Sequence, residues 1–199
     1  MHAPPRALAA LVLIALAVGC TPTPRTTPAA SSAQPTYLCT GGTQTATPFP
    51  CDKARYDDQQ RTKALEAEAL SVYQRYWKEL NRLMAAGGTT EVTPEYRATL
   101  AGPMLENAMV VPRFLAERGW TAKPLVASVR VAIIHIPVRS DAEVSLVVCE
   151  DFTGTTFLNR DGQASGGGHL GVQHLAVRSI EGTLKIYDSV GGGNSCPIA

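Results

Sequence analysis

Residues 57–88 read DDQQRTKALEAEALSVYQRYWKELNRLMAAGG, and the spacing of their apolar side chains decides the fold. Leu65, Ala69, Val72, Tyr76, Leu80 and Leu83 recur three or four residues apart, and Leu70, Tyr73, Trp77 and Met84 widen the same stripe. That period places them on one face of an amphipathic helix of about eight turns. Asp57-Asp58-Gln59-Gln60 offers N-capping side chains and a capping box at its start, and Gly87-Gly88 offers a stop.

Downstream, Thr93-Pro94 supplies a cap followed by proline at the first helical position, which predicts a short helix toward Leu100 that ends near Gly102. A third helix is expected from Pro103, broken or kinked at Pro112 and stopped at Gly119. After Trp120 the pattern changes to strands. Leu125 to Val138 is apolar on both parities (Val129, Val131 and Ile133 against Ile134 and Ile136), as in a strand covered on both faces. Glu143 to Phe152 places Val144, Leu146 and Val148 on one side and Ser145, Val147, Cys149 and Asp151 on the other. The Gly-rich stretch Asp161 to Gly168 reads as a loop. His169 to Ile180 and Thr183 to Val190 read as a hairpin that turns at Glu181-Gly182. One long helix and two shorter ones followed by an antiparallel meander make an α+β domain, a single one over 57–199.

Upstream, Thr, Gly and Pro dominate the residues between Cys39 and Cys51, and 37–56 is expected to be a loop segment closed by a disulfide. Residues 21–36 (TPTPRTTPAASSAQPT) hold no aromatic or large aliphatic side chain to offset the entropy of ordering, so 20–36 reads as a tether. Before it, Arg6 precedes an apolar run from Ala7 to Val18, too short for a bilayer core of about 20 residues but suited to a secretory signal over 1–19. Ala17-Val18-Gly19-Cys20 resembles a lipobox, in which the cysteine takes a diacylglycerol before cleavage; Ala17 stands where Leu is usual.

The chain has five cysteines, an odd number for an oxidising compartment, and lipidation of Cys20 leaves four to pair. Proximity in sequence suggests Cys39 with Cys51 and Cys149 with Cys196. Four cysteines allow three connectivities, and the sequence does not choose among them. No Cys-x-x-Cys or His-x-x-x-His spacing points to a metal site, and no cofactor is expected. Removing Arg6 with residues 1–19 turns 18 basic against 17 acidic side chains into equal numbers. A mature chain without net charge has no electrostatic basis for binding nucleic acid or for lying on anionic lipid, so membrane attachment rests on the lipid.

Five segments carry a resemblance: Ala67 to Leu80, Leu100-Ala101-Gly102-Pro103-Met104-Leu105, Ala116-Glu117-Arg118-Gly119, Val147 to Asp151, and Ser195-Cys196. Together with the order of elements over 57–199, they resemble small actinobacterial-type lipoproteins whose domain belongs to the nuclear transport factor two superfamily, also called cystatin-like or SnoaL-like. The resemblance implies a long helix laid across a curved antiparallel sheet, forming a cone with a cavity at its open end. It also implies pairing of the strand-end and terminal cysteines, here Cys149 and Cys196. The chain departs from the pattern in its Gly-rich stretch Asp161 to Gly168 and in Cys39 and Cys51.

That superfamily includes isomerases and dehydratases, and the resemblance implies that any such chemistry would fall to Asp, His and Tyr side chains inside the cone. His135, in Ile133-Ile134-His135-Ile136, and Asp151 are the acid/base candidates. Glu150-Asp151 reads as a solvated strand end, because adjacent strand residues point to opposite faces and cannot form a dyad. His169 and His174 fall on opposite faces of their strand. Ser189 and Ser195 lack nucleophile-elbow spacing, and neither glycine triplet has the lysine of a phosphate loop. Tyr73, Tyr76 and Trp77 either line a cavity or seal the helix against the sheet. The expected function is an extracytoplasmic, membrane-anchored module that binds an envelope protein partner or an apolar small molecule. The alternative is a small-molecule isomerase or hydratase with acid/base residues in the cone.

Overall fold

In the computed structural model, residues 36–41, 47–193 and 195–198 are described. The expected signal sequence over 1–19, the lipidation expected at Cys20 and all but the last residue of the expected tether over 20–36 lie outside them. Among the described residues no helix is long and apolar enough to cross a membrane.

Helix α1 spans Lys53–Ala86, 34 residues, and carries the apolar stripe read from its sequence. It starts earlier than the Asp57-Asp58 pair suggests. Asp52 is the cap, its carboxylate accepting the Arg55 N–H at 2.8 Å. The additional first turn is held from upstream. Strands β1 (Tyr37–Cys39) and β2 (Phe49–Cys51) form an antiparallel hairpin cross-linked by Cys39–Cys51. Tyr37 packs on Tyr56 at 5.3 Å, and the Gln59 amide exchanges hydrogen bonds with the Thr40 backbone at 2.7 and 2.9 Å. The segment expected as a separate loop is therefore a hairpin docked on the helix.

Helix α2 (Pro94–Thr99) is capped by Thr93 as its sequence predicts. Helix α3 (Gly102–Arg118) runs through Pro112 instead of breaking there. Proline removes one backbone bond, and the ring at 112 is buried, so packing offsets the loss.

The main sheet is four-stranded, antiparallel and open, in the order β4-β5-β8-β9. Its strands are β4 (Ser128–Ile134), β5 (Val144–Asp151), β8 (Leu170–Ile180) and β9 (Thr183–Gly191). The β8–β9 hairpin turns at Glu181 and Gly182, with φ of 53° and 77°, a pair of left-handed residues that suits a two-residue hairpin. Strand β4 is an edge strand whose two faces are both covered, but only in part: Val129, Val131 and Ile133 pack against the helix-side core, and Ala132 and Ile134 pack with the carboxyl tail. The Gly-rich stretch read as a loop contains a strand. β7 (Ala164–Gly167) joins β6 (Thr156–Leu158) and β3 (Thr121–Ala122) in a small second sheet. All four β7 residues are exposed, so backbone pairing alone defines the strand and no side-chain pattern announces it.

The core lies between α1, α3 and one face of the main sheet. Val72, Tyr73, Leu83 and Met109 from the helices meet Leu146, Val148, Leu175 and Ile186 from the strands. On the opposite face a small cluster of Val147, Cys149 and Val172 is covered by the Cys149–Cys196 disulfide and Ile198.

Candidate functional site

The alternation along β5 continues to its end, and the inner-facing series Val144, Leu146, Val148 concludes with Glu150. Its side chain turns under α1 and is 6% exposed. Tyr73 on α1 donates its hydroxyl to Glu150 Oε1 at 2.9 Å, and Gln173 on β8 donates Nε2 to Oε2 at 3.3 Å. Both carboxyl oxygens thus accept from neutral donors, and among the described residues no Lys, Arg or His forms an ion pair with them. Burial raises the proton affinity of Glu150, and the two hydrogen bonds oppose the rise without reversing it. Burial also drives the Tyr73 and Tyr76 hydroxyls far above the ordinary tyrosine range, with the Glu150 charge adding to it, so both stay protonated.

Glu150 opens onto a cavity of about 220 Å³ between α1, α3 and the inner face of the sheet. Tyr76, Leu80, Met84, Ala108, Phe152 and Phe157 make most of its wall. Asn107, Val111 and His169, all exposed, mark its rim. Gly168 shapes that rim, because a Cβ there would lie 2.1 Å from the Phe152 carbonyl oxygen. Only glycine lets the chain cross so close to the strand end.

The structure separates the residues singled out from sequence. Asp151, one residue beyond Glu150, faces away from the cavity and accepts from Thr153 N–H at 2.9 Å and Oγ1 at 2.7 Å, which hold its carboxyl below the usual range. His135 is exposed past the far end of β4, beside Thr62 and Glu66 of α1. From the Ser128–Asp151 pair to the Ile134–Ser145 pair is six residues of ladder, about 20 Å at the usual rise per residue. His135 and Asp151 therefore share no site, and that acid/base pairing is corrected.

The aromatic trio divides by role. Tyr73 holds Glu150, Tyr76 lines the cavity, and Trp77 packs on Phe152 at 5.1 Å from outside the lining. His169 and His174 do face opposite sides, the first at the inner cavity and the second in a groove on the outer face. Cys39 and Cys51 are bonded, as are Cys149 and Cys196. Among the described residues no group of His, Cys, Asp and Glu is arranged to hold a metal.

Glu150 and Gln173 are the residues sequence reading misses. Glu150 is corrected from a solvated strand end to a buried group. Parity was the available signal, since Glu150 falls on the side of Val148 and Gln173 on the side of Leu175.

Compared with family models, curated proteins and solved structures, the chain matches none.

Proposed function

We propose that this chain is a lipid-anchored, extracytoplasmic binding module whose α+β domain takes an apolar small molecule into the cavity between α1, α3 and the inner face of the sheet. The observation that carries this reading is a buried, hydrogen-bonded carboxyl in the wall of a largely apolar, partly aromatic cavity that reaches the surface. Few polar groups in an apolar hollow is the composition of ligand sites, where the wall supplies affinity and the polar group supplies orientation. The outer-face groove is larger, about 540 Å³, but it has no comparable buried group to orient a ligand.

Support for the address comes from the signal-like residues 1–19 and the lipobox-like Cys20, together with two disulfides that use the other four cysteines. The cone of the nuclear transport factor two superfamily belongs to the same proposal. It is supported by a long helix and two shorter ones preceding an antiparallel meander, and by a cavity on the helix-covered face.

Native mass spectrometry of the full chain, extracted from membranes in mild detergent, tests the reading. A small molecule released on denaturation and absent from Val111→Trp, which blocks the rim, is the expected result. A protein partner retained equally by both would overturn it. Labelling with a palmitate analogue should tag the wild type and not Cys20→Ser.

One observation favours a second reading, an isomerase or hydratase. A carboxyl whose proton affinity is raised by burial, at the edge of a cavity, is equipped for general acid/base work. Glu150-dependent exchange of α-hydrogens for deuterium in an added ketone would favour it over simple binding.

A further inference from the structure

A carboxyl that is nine-tenths buried without a cation calls for an explanation, since burying an unpaired charge costs several kcal/mol unless something compensates it. Tyr73 and Gln173 donate one hydrogen bond to each oxygen of Glu150, an arrangement suited to a carboxylate, which accepts at both oxygens. Neither donor brings charge. The groups turned toward Glu150 are Tyr73 and Tyr76 from α1 and Gln173 from β8, with His169 at the rim; α3 contributes Asn107, Ala108 and Val111, none of them charged. The site is therefore complete except for a positive charge.

The walls fit the same missing piece. Tyr76, Phe152 and Phe157 surround the space in front of the carboxyl, and aromatic faces attract cations, most strongly where water is excluded. An anionic ligand would meet Glu150 as a like charge with no Lys or Arg in the lining to offset it. The volume sets the size. An apolar cavity of about 150 Å³ holds benzene, so about 220 Å³ admits one ring or a short branched chain bearing one further group.

We propose that the inner cavity takes a small organic cation, a protonated amine or quaternary ammonium on a compact apolar body, with Glu150 as its counter-ion. This rests on the cavity being a binding site and names its ligand class.

The test uses the intact chain and two probes of nearly equal shape, benzylammonium and benzyl alcohol, with binding followed by titration calorimetry and by the amide resonances of Val111 and Gln173. The expected result is tighter binding of benzylammonium by about tenfold or more, as for a charge-assisted hydrogen bond replacing a neutral one. Glu150→Gln should abolish that preference, while Val111→Trp should block both probes. If the two probes bind wild type equally, the cation proposal is overturned while the binding cavity stands. If neither moves the Val111 and Gln173 resonances, both fall. The wild-type comparison decides the matter even where Glu150→Gln does not fold.

Discussion

Cys149 and Glu150 are neighbours on β5 whose side chains enter opposite sides of the sheet, and the two sides are held by opposite means. On the inner side, α1 and α3 press a continuous apolar layer onto Leu146, Val148 and Leu175, and Glu150 is taken out of water along with them. Among the described residues no helix packs on the outer-side cluster. Val147, Cys149 and Val172 are covered by the chain's own carboxyl end, tied by the Cys149–Cys196 disulfide and by Arg130 Nη1 donating to the Ile198 carbonyl at 2.6 Å. A layer with enough apolar surface orders itself and tolerates a polar group for function. A layer without it relies on a covalent tie.

The largest expected effect therefore comes from cutting that tie. Cys149 and Cys196 are 47 residues apart, and closing a loop of that length restricts the unfolded chain by about 4 kcal/mol. Cys39–Cys51 spans only 12 residues, for which the same argument gives about 3 kcal/mol. Urea unfolding of Cys149→Ser/Cys196→Ser should show the greater loss, and limited proteolysis should cut the released tail first. A stable double variant with a protected tail would mean that Ile198 and Arg130 hold the outer face without the bond.

Next in size is the inner layer. Leu146 is fully buried, and Leu146→Ala should cost about 3 kcal/mol through lost transfer energy and the cavity left behind. Ile134, half-buried on the outer side, should lose about half as much in Ile134→Ala because less surface returns to water. Equal losses measured by urea midpoint would erase the distinction between the two faces. Tyr73→Phe should cost less again, about 1 kcal/mol, since it removes one donor from a buried acceptor without opening a void. Carbon-13 titration of the Glu150 carboxyl should then show its proton affinity rising further, because Tyr73 is one of the two groups that hold it down.

The legible parts of this fold are those where a side-chain period and a local signal agree. The α1 stripe, the Thr93-Pro94 cap and the Glu181-Gly182 turn each follow from residues a few positions apart. Strand β7 was not legible because Ala164, Ser165, Gly166 and Gly167 bury nothing; its pairing with β6 is decided by backbone geometry elsewhere. The earlier start of α1 depends on contacts with a hairpin upstream, which no helical period within the helix reports. Half of the site was within reach. The alternation that assigns Val148 inward assigns Glu150 inward too, but its charge and its place at a strand end argue for water, and it is partners distant in sequence, Tyr73 at 77 residues and Gln173 at 23, that make burial tolerable.

The smallest effect, and the one that separates structure from function on the inner face, is that of Glu150→Gln with pH. Burial raises the proton affinity of Glu150 in the native state, so the folded chain holds this proton more tightly than the unfolded chain does. The stability linked to that proton is fully present below the ordinary glutamate range. It is lost as pH rises from there through the raised native value. Glutamine keeps the site neutral throughout, so from acid to neutral pH the wild type should lose ground to Glu150→Gln in urea unfolding, by a fraction of the Leu146→Ala cost. Saturating benzylammonium should reverse the trend in the wild type alone, because the cation compensates the charge that burial opposes. The opposite trend without ligand, with the wild type gaining as pH rises, would mean that Tyr73 and Gln173 favour the carboxylate by more than burial costs it. The inner face would then need no ligand charge to complete it.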